Sequence, residues 1–195
     1  RWCAPDQREA FGRLKVMLLA SLRGNIIVYQ GEELGLTQVD IPFEQLQDPE
    51  AIANWPLTLA RDGARTPLPW QAQSEQGGFT ASSNPWLPLG EENMAKAVDR
   101  QDGDPASLLN LTRALLALRH QTAALRNGSC EVVLADEARL VLRRQSGSER
   151  VLAVFNISAV EAAWPHAIGS SGNPIFAVNG AEPGRLPPFG AVLIR

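Results

Sequence analysis

Hydrophobic residues recur at helical spacing in two stretches of the chain, and each stretch predicts an amphipathic helix. The first stretch covers residues 7–22, where an apolar stripe runs from Phe11 to Leu22. The second covers residues 106–121 and is rich in leucine. Its stripe is formed by Leu108, Leu111, Leu115 and Leu118, and Leu109 and Leu116 widen it.

Capping residues predict where these two helices begin and end. Asp6 stands at the expected N-cap position of the first helix, and Gly24 is well placed to end it. Asp104 is the expected N-cap of the second helix, with Pro105 at its first position.

A third pattern, in which apolar residues follow one another without alternation, predicts a short buried strand at residues 25–29, NIIVY. The polar loop QGEELGL follows directly. A helix, a buried strand and a polar loop form half of an α/β repeat, and such folds place their sites at the carboxyl ends of the strands.

The character of the chain changes after residue 128, where short β-rich runs replace the helices. The runs are CEVVLA, ARLVLRRQ, ERVLAVFNIS and GAVLIR, separated by turn-forming residues. Short strands at this spacing predict a small antiparallel β-sandwich. The predicted fold class is therefore α/β followed by all-β, with one domain at residues 1–126 and the other at residues 127–195.

Between the two predicted helices, residues 37–104 form a long irregular stretch rich in Pro, Gly, Asn and Ser. Within it, DPEAIANW at residues 48–55 predicts one short helix. A connection of this length inside a compact domain is usually functional. We therefore expect binding residues in this stretch.

The segment RDGARTPLPW, residues 61–70, combines two arginines with a stiff backbone. Pro67 and Pro69 push the residues before them into extended geometry, so that this part of the loop loses little freedom on folding. A stiff loop positions a side chain accurately. The guanidinium groups of Arg61 and Arg65 each offer five donors in a planar fork, which suits a carboxylate or several hydroxyls.

Composition excludes several classes of function. The net charge is −3 and no basic run is present, which argues against a nucleic-acid partner. No apolar run approaches membrane-spanning length. Cys3 and Cys130 lie far apart and are expected to be free thiols. With only two histidines, the sequence predicts no metal site and no cofactor. The chain begins without methionine or a signal-peptide pattern and reads like the middle of a longer protein, so that any localisation signal would lie upstream. The compartment is therefore unknown, and a cytoplasmic protein is expected over a secreted one.

The order of these motifs is specific. SLRGNIIVYQGEELGL, RDGARTPLPW, GGFTASSNPWLPL and LLALRH follow one another before the β-strands. This order resembles the carboxyl-terminal part of the α-glucosidases of glycoside hydrolase family 13, and most closely the oligo-1,6-glucosidase and α-glucosidase branch. The resemblance implies a (β/α)8 barrel followed by an all-β domain. Residues 7–22 would be its seventh helix, 26–29 its eighth strand and 106–121 its eighth helix.

The same resemblance implies the roles of the site residues. Arg65 would donate to the far hydroxyls of the terminal glucose of a small α-glucoside and pair with an aspartate from an early barrel loop. Arg61 would lie nearer the adjoining subsite. The nucleophile, the acid/base and a third aspartate of this family lie on strands four, five and seven, so no catalytic residue is expected in this chain. Glu32 and Glu33 are adjacent, their side chains diverge, and they are expected to be structural.

Four interpretations remain open at this point. In the first, the chain is a fragment of an exo-acting, retaining α-glucosidase and is inactive alone. In the second it is part of a trehalose synthase-like transglycosylase or isomerase, and in the third it is part of a non-catalytic barrel relative that acts as a scaffold or partner subunit. In the fourth, the β domain alone binds carbohydrate. Under the first interpretation, the apolar faces of the two helices would be exposed. Either the missing upstream part, present as a separate chain, or a second copy of this chain would cover them, or the two helices would fold down on the eighth strand in a non-barrel arrangement.

Overall fold

The structure is a computed structural model that describes residues 3–58, 60–170 and 172–195. Its helices are α1 (Arg8–Ser21), α2 (Pro49–Asn54), α3 (Glu91–Met94), α4 (Val98–Asp102), α5 (Leu108–Gln121) and α6 (Ala123–Arg126). Its strands are β1 (Ser129–Ala135), β2 (Arg139–Ser146), β3 (Glu149–Asn156), β4 (Pro174–Val178) and β5 (Ala191–Ile194). No helix in the described part of the chain is both long and apolar enough to cross a membrane.

The chain forms two compact units. One unit contains residues up to 27 together with residues from 111 onward, and the other contains residues 28–110. The first unit therefore joins α1 and most of α5 to the β-sheet. The predicted boundary near residue 126 concerns the domains of a complete barrel protein, and it stays a prediction.

The predicted antiparallel β region is confirmed in the first unit. Its strands form one sheet in the order β1-β2-β3-β5-β4, and every neighbouring pair is antiparallel. The sequence runs that predicted β1, β2, β3 and β5 match their observed bounds within two residues. Strand β4, which begins at a proline and follows a glycine-containing loop, was not among the predicted runs.

Both faces of this sheet are covered. Side chains alternate along β3, so that Phe155 faces a core shared with α1, α5 and α6, whereas Val154 faces a smaller core on the other side. The second face packs against loop residues such as Leu186, which forms an isolated bridge with Ala162. The described strands thus form a single sheet with helices on one face and loops on the other, where the sequence predicted a sandwich of two sheets.

The two long helices are confirmed, but their predicted caps are not. Residues Pro5–Gln7 form a 3-10 turn, and no side chain caps α1. Helix α1 ends at Ser21, before Gly24. Helix α5 begins at Leu108, two residues later than predicted. The Asp104 side chain accepts the amide of Ala106 in the turn before the helix, and the Ser107 hydroxyl accepts the amide of Asn110 in the first turn of the helix.

The predicted strand at residues 25–29 is wrong for the structure of this chain. These residues are not in a strand, and Ile27 is 84% exposed. A strand needs a partner on at least one edge to satisfy its backbone N–H and C=O groups. No described strand pairs with this segment, so it remains an extended connection.

The unit at residues 28–110 is held mainly by turns and short helices. Helix α2 confirms the helix predicted from DPEAIANW, and the Asp48 side chain caps it by accepting the amide of Glu50. A small apolar core forms beneath the loops. It consists of Ile41, Leu46, Ala51 and Leu87.

Candidate functional site

The loop at residues 61–70, called the arginine loop below, begins with a tight 3-10 turn at Asp62–Ala64. The amide of Val39 donates to the carbonyl oxygen of Gly63 at 3.0 Å. A Cβ atom on Gly63 would stand 2.1 Å from the carbonyl oxygen of Val39, so that any other residue would clash with this backbone. Glycine at this position therefore lets two backbone segments lie against each other and fixes the start of the loop.

A buried carboxylate, Asp62, ties the arginine loop to a neighbouring segment. Its side chain is fully buried, and Oδ2 accepts the amides of Gln47 and Asp48, each at 2.7 Å. A buried polar oxygen needs hydrogen-bond partners, and these two amides supply them for Oδ2. The loop and residues 47–48 are therefore held as one piece.

The Arg61 guanidinium completes this attachment. Its Nε donates to Oδ2 of Asp48 at 2.7 Å, and its Nη2 donates to Oδ1 of the same carboxylate. The hydrogen bonds from Arg61 hold the pKa of Asp48 well below its usual range, and the same contact raises the pKa of Arg61. Arg61 thus uses two of its donors on a buried carboxylate, although 61% of its side chain is exposed.

Arg65 lies in a different situation. Its Nη1 is 3.5 Å from Oδ1 of Asp62, an ion pair without a hydrogen bond, and that oxygen has no hydrogen-bond partner among the described residues. The Arg65 guanidinium makes no hydrogen bond to another described residue, and 36% of its side chain is exposed. The loop therefore presents a cation whose donors are unused.

The end of the arginine loop is fixed by its backbone. The carbonyl oxygen of Pro69 accepts the amide of Val98, and that of Trp70 accepts the amide of Asp99, each at 3.0 Å. The amide of Trp70 donates to Gly77 at 2.8 Å. The Trp70 ring is half exposed, so the stiff segment carries an aromatic face five residues after Arg65.

The paired glutamates lie in the turn that follows the predicted strand. Oε2 of Glu32 accepts the amide of Tyr29 at 3.2 Å, a contact within the turn itself. Oε2 of Glu33 is buried and has no hydrogen-bond partner in the described part of the chain. A small cavity of about 90 Å³ lies between this turn and the arginine loop, lined by Tyr29, Glu32 and Ala64 among others. The contact made by Glu32 is of the structural kind that the sequence predicts.

Sequence reasoning missed the residues that hold the site. Asp48 was predicted only within a short helix, and no role was predicted for Asp62. The signal for Asp48 was the Asp-Pro start of α2. Nothing in the sequence indicates that the carboxylate also pairs with Arg61, thirteen residues later. Both cysteines are free thiols, as predicted. The described residues contain no cluster of His, Cys, Asp and Glu that suits a metal ion.

Comparison with known families identifies the family of this chain. The family described as "Alpha amylase, catalytic domain" matches residues 2–128. The chain belongs to the α-amylase family. The match includes the arginine loop and α5.

Individual relatives point to one branch of this family. The chain is 42% identical over 159 residues to a probable α-glucosidase of Rhizobium meliloti (strain 1021), covering 81% of this chain and 28% of that protein. It is 31% identical over 204 residues to a probable oligo-1,6-glucosidase of Bacillus subtilis (strain 168), covering 87% of this chain and 36% of that protein. The resemblance to the α-glucosidase and oligo-1,6-glucosidase branch is thereby confirmed.

A solved structure gives the same result for the fold. The α-glucosyl transfer enzyme XgtA superposes with a TM-score of 0.82 at 40% identity, over 96% of this chain and 36% of that chain. The present chain thus spans between about a quarter and two fifths of the length of these relatives. Its helices and β-sheet correspond to the end of a barrel and to the domain that follows it.

Proposed function

We propose that the chain is the carboxyl-terminal part of a retaining, exo-acting α-glucosidase that removes terminal α-linked glucose from small oligosaccharides. Within this enzyme, Arg65 binds the terminal glucose. The observation that carries the proposal is the unused guanidinium of Arg65 on a loop fixed by buried Asp62 and Asp48. The relatives whose names are α-glucosidase and oligo-1,6-glucosidase support the substrate class.

The chemistry of arginine suits a terminal sugar. Its fork can donate to two neighbouring hydroxyls, and the hydroxyls farthest from the scissile bond exist only on the terminal residue. A site built to hydrogen-bond a hydroxyl rejects a ligand without it, because the buried polar group would then lack a partner. Arg65 would therefore select the chain end of the substrate.

Arg61 takes a supporting and adjoining role in the proposal. Its bidentate contact with Asp48 fixes the turn that carries Arg65. The donors that it does not use lie on an exposed side chain and can reach the adjoining subsite. Arg61 therefore acts first as the anchor of the loop and second as a substrate contact.

The chemical step is assigned to residues outside this chain. Retention requires a nucleophile and an acid/base about 5–5.5 Å apart, and the family implies barrel strands that precede these residues. Glu32 accepts a backbone amide of its own turn, and Glu33 lies beside it in the same turn. The 195-residue chain alone should therefore hydrolyse no α-glucoside.

A second candidate is transfer of glucose to another sugar instead of water. The likeness to a solved α-glucosyl transfer enzyme at 40% identity favours it. Both reactions use the same pocket for the donor glucose and differ only in the acceptor. Measuring the ratio of free glucose to transfer product distinguishes them.

The test uses the full-length enzyme that carries this segment. Arg65→Ala should lower kcat/KM for a chromogenic α-glucoside about tenfold to a hundredfold, the range expected for losing a charged hydrogen bond. Arg65→Lys should not restore the activity, because an ammonium group is a point charge and not a planar fork. Arg150→Ala, an exposed arginine on β3, is the matched control and should leave kcat/KM unchanged.

Two results would contradict the proposal. Near-normal kcat/KM in Arg65→Ala would remove the assigned role. A large loss accompanied by a lower melting temperature would show that Arg65 acts through the fold. Circular dichroism of all three variants separates these cases.

A further inference from the structure

A second concave site lies in the unit at residues 28–110. It is a cleft of about 730 Å³, lined by residues 44, 45, 47, 76, 77, 83–86, 88, 89, 91 and 94. This volume falls within the roughly 300–1,000 Å³ that holds small ligands in proteins. Arg61 and Arg65 do not line it. It is therefore called the polar cleft here, separate from the arginine loop.

The polar cleft is lined by side chains with unused hydrogen-bonding groups. Two amide side chains, Gln45 and Gln47, and one carboxylate, Glu44, lie on one segment of its wall. Asn84 and Glu91 lie on the other segments. In the described part of the chain, none of these five side chains makes a hydrogen bond or ion pair. They present both donors and acceptors to whatever occupies the cleft.

An aromatic ring and two apolar side chains complete the lining of the cleft. Trp86 is 61% exposed, a large value for a side chain of this size, and it lines the cleft together with Leu89 and Met94. Aromatic rings with a polar edge occur where one face meets an apolar surface and the other meets water. The polar cleft thus combines an aromatic face with several amides and carboxylates.

This combination matches a sugar. A pyranose ring has a face of C–H groups that packs on an aromatic ring, and a rim of hydroxyls that both donate and accept. Among the described residues no lysine or arginine lines the cleft, whereas Glu44 and Glu91 do. Two carboxylates without a cation disfavour phosphorylated and other anionic ligands. The chemistry therefore favours a neutral ligand with many hydroxyls.

One wall of the polar cleft is already ordered. The amide of Gln47 donates to the buried Asp62, so the segment at residues 44–47 is held by the same carboxylate that mounts the arginine loop. Gln76, which also lines the cleft, adopts a left-handed backbone with φ +50. The backbone of a non-glycine residue is strained in this conformation, and such strain often occurs at ligand sites.

We propose that the polar cleft binds a glucosyl segment of a neutral oligosaccharide, with Trp86 as the stacking face. The ligand class rests on the function proposed above, whereas the existence of the site rests on the cleft alone. Glucosyl units at this position would hold a longer substrate to the protein without contacting Arg65.

The test is isothermal titration of the 195-residue chain with maltotriose. The unaltered chain should bind it, and Trp86→Ala should weaken binding at least tenfold. Phe79→Ala is the matched control, because Phe79 is 53% exposed on the same loop but does not line the cleft. Its affinity should be unchanged. Gln45→Ala combined with Gln47→Ala should weaken binding measurably through the opposite wall.

The outcomes separate this proposal from the proposed function. Binding that is lost in Trp86→Ala and kept in Arg65→Ala supports the polar cleft, whatever the enzyme assay gives. Binding that is kept in Trp86→Ala and in the double glutamine variant, or lost only in Arg65→Ala, overturns it. Absence of heat with millimolar maltotriose also overturns it. Because Trp86 is largely exposed, its replacement is not expected to unfold the chain.

Discussion

Arg144 on β2 is fully buried, and its hydrogen-bond acceptors among the described residues are all backbone carbonyl groups. Its guanidinium contacts the carbonyl oxygens of Ser21 at 2.7 Å and Leu22 at 2.9 Å, at the carboxyl end of α1. Arg119 contacts Leu22 as well, at 2.8 Å. The last carbonyls of a helix lack partners, and its dipole favours a cation there. Burial lowers the pKa of both arginines, yet arginine stays charged in proteins.

Replacing Arg144 should therefore destabilise the chain strongly. Arg144→Leu removes the side-chain donor from the carbonyl groups of Ser21, Gly128 and Ser129, and leaves Leu22 with the donor of Arg119 alone. We expect a loss of roughly 2–4 kcal/mol in the free energy of unfolding, measured by urea denaturation. Arg143→Leu is the matched control. Arg143 is the next residue in sequence, but its side chain is partly exposed and pairs with Glu131, a contact worth about 0–1 kcal/mol. Equal losses in the two variants would contradict the assignment.

The pair of Asp48 and Arg61 predicts how stability responds to acid. The folded pKa of Asp48 lies below its unfolded value, so its contribution is complete above about pH 4 and is lost as the pH falls toward the folded pKa. Asp48→Asn should flatten the stability curve below about pH 4. Asp136, whose pKa the side chain of Arg139 also lowers, should leave a residual slope.

Urea denaturation at several pH values measures this effect. Asp40→Asn, at an exposed position, is the control and should keep the acid slope of the unaltered chain. An unchanged slope in Asp48→Asn would show that the carboxylate does not titrate as described.

At the scale of elements, local sequence determines the helices better than the strands. The leucine stripe predicts α5 within a few residues, since helix contacts are near in sequence. The strand predicted at residues 25–29 depends on partners that its own pattern does not supply. The burial of Arg144 could not be predicted for a similar reason. LVLRRQ is a strand pattern with two adjacent arginines, and the contact with α1, which is distant in sequence, determines that Arg144 is the buried one.

Hydrogen exchange tests the status of residues 25–29. In this chain the amides of Ile26, Ile27 and Val28 lack backbone acceptors among the described residues and should exchange without protection. Amides of β3, such as those of Val151 and Val154, should be strongly protected. If the segment is the eighth strand of a barrel, the full-length protein should protect it. Strong protection in the 195-residue chain would contradict the structure.

At the scale of the molecule, the predicted exposed helix faces are largely covered. Leu14 is 3% exposed and Leu115 is 1% exposed, because α1 and α5 share a core with the β-sheet. These two leucines are thus covered within the chain itself, and association with a second copy stays a prediction. Sequence reasoning treated the helices as parts of a barrel wall and did not foresee that they also pack on the β-sheet.

Limited proteolysis measures this association. Cleavage should occur first at exposed loops within residues 28–110, and the resistant material should contain α1 and α5 as well as the β-strands. Mass spectrometry of the fragments identifies them. A resistant piece limited to residues 128–195 would support the boundary near residue 126 instead.

Binding of the terminal glucose by Arg65 is tested most directly by a double-mutant cycle in the full-length enzyme. The values of kcat/KM are compared for a terminal α-glucoside and its 4-deoxy analogue, in the unaltered enzyme and in Arg65→Ala. The 4-hydroxyl lies across the ring from the scissile bond, where Arg65 is proposed to donate. Removing it should lower kcat/KM about tenfold to a hundredfold in the unaltered enzyme and hardly at all in Arg65→Ala. The same loss in both enzymes would contradict the proposed contact.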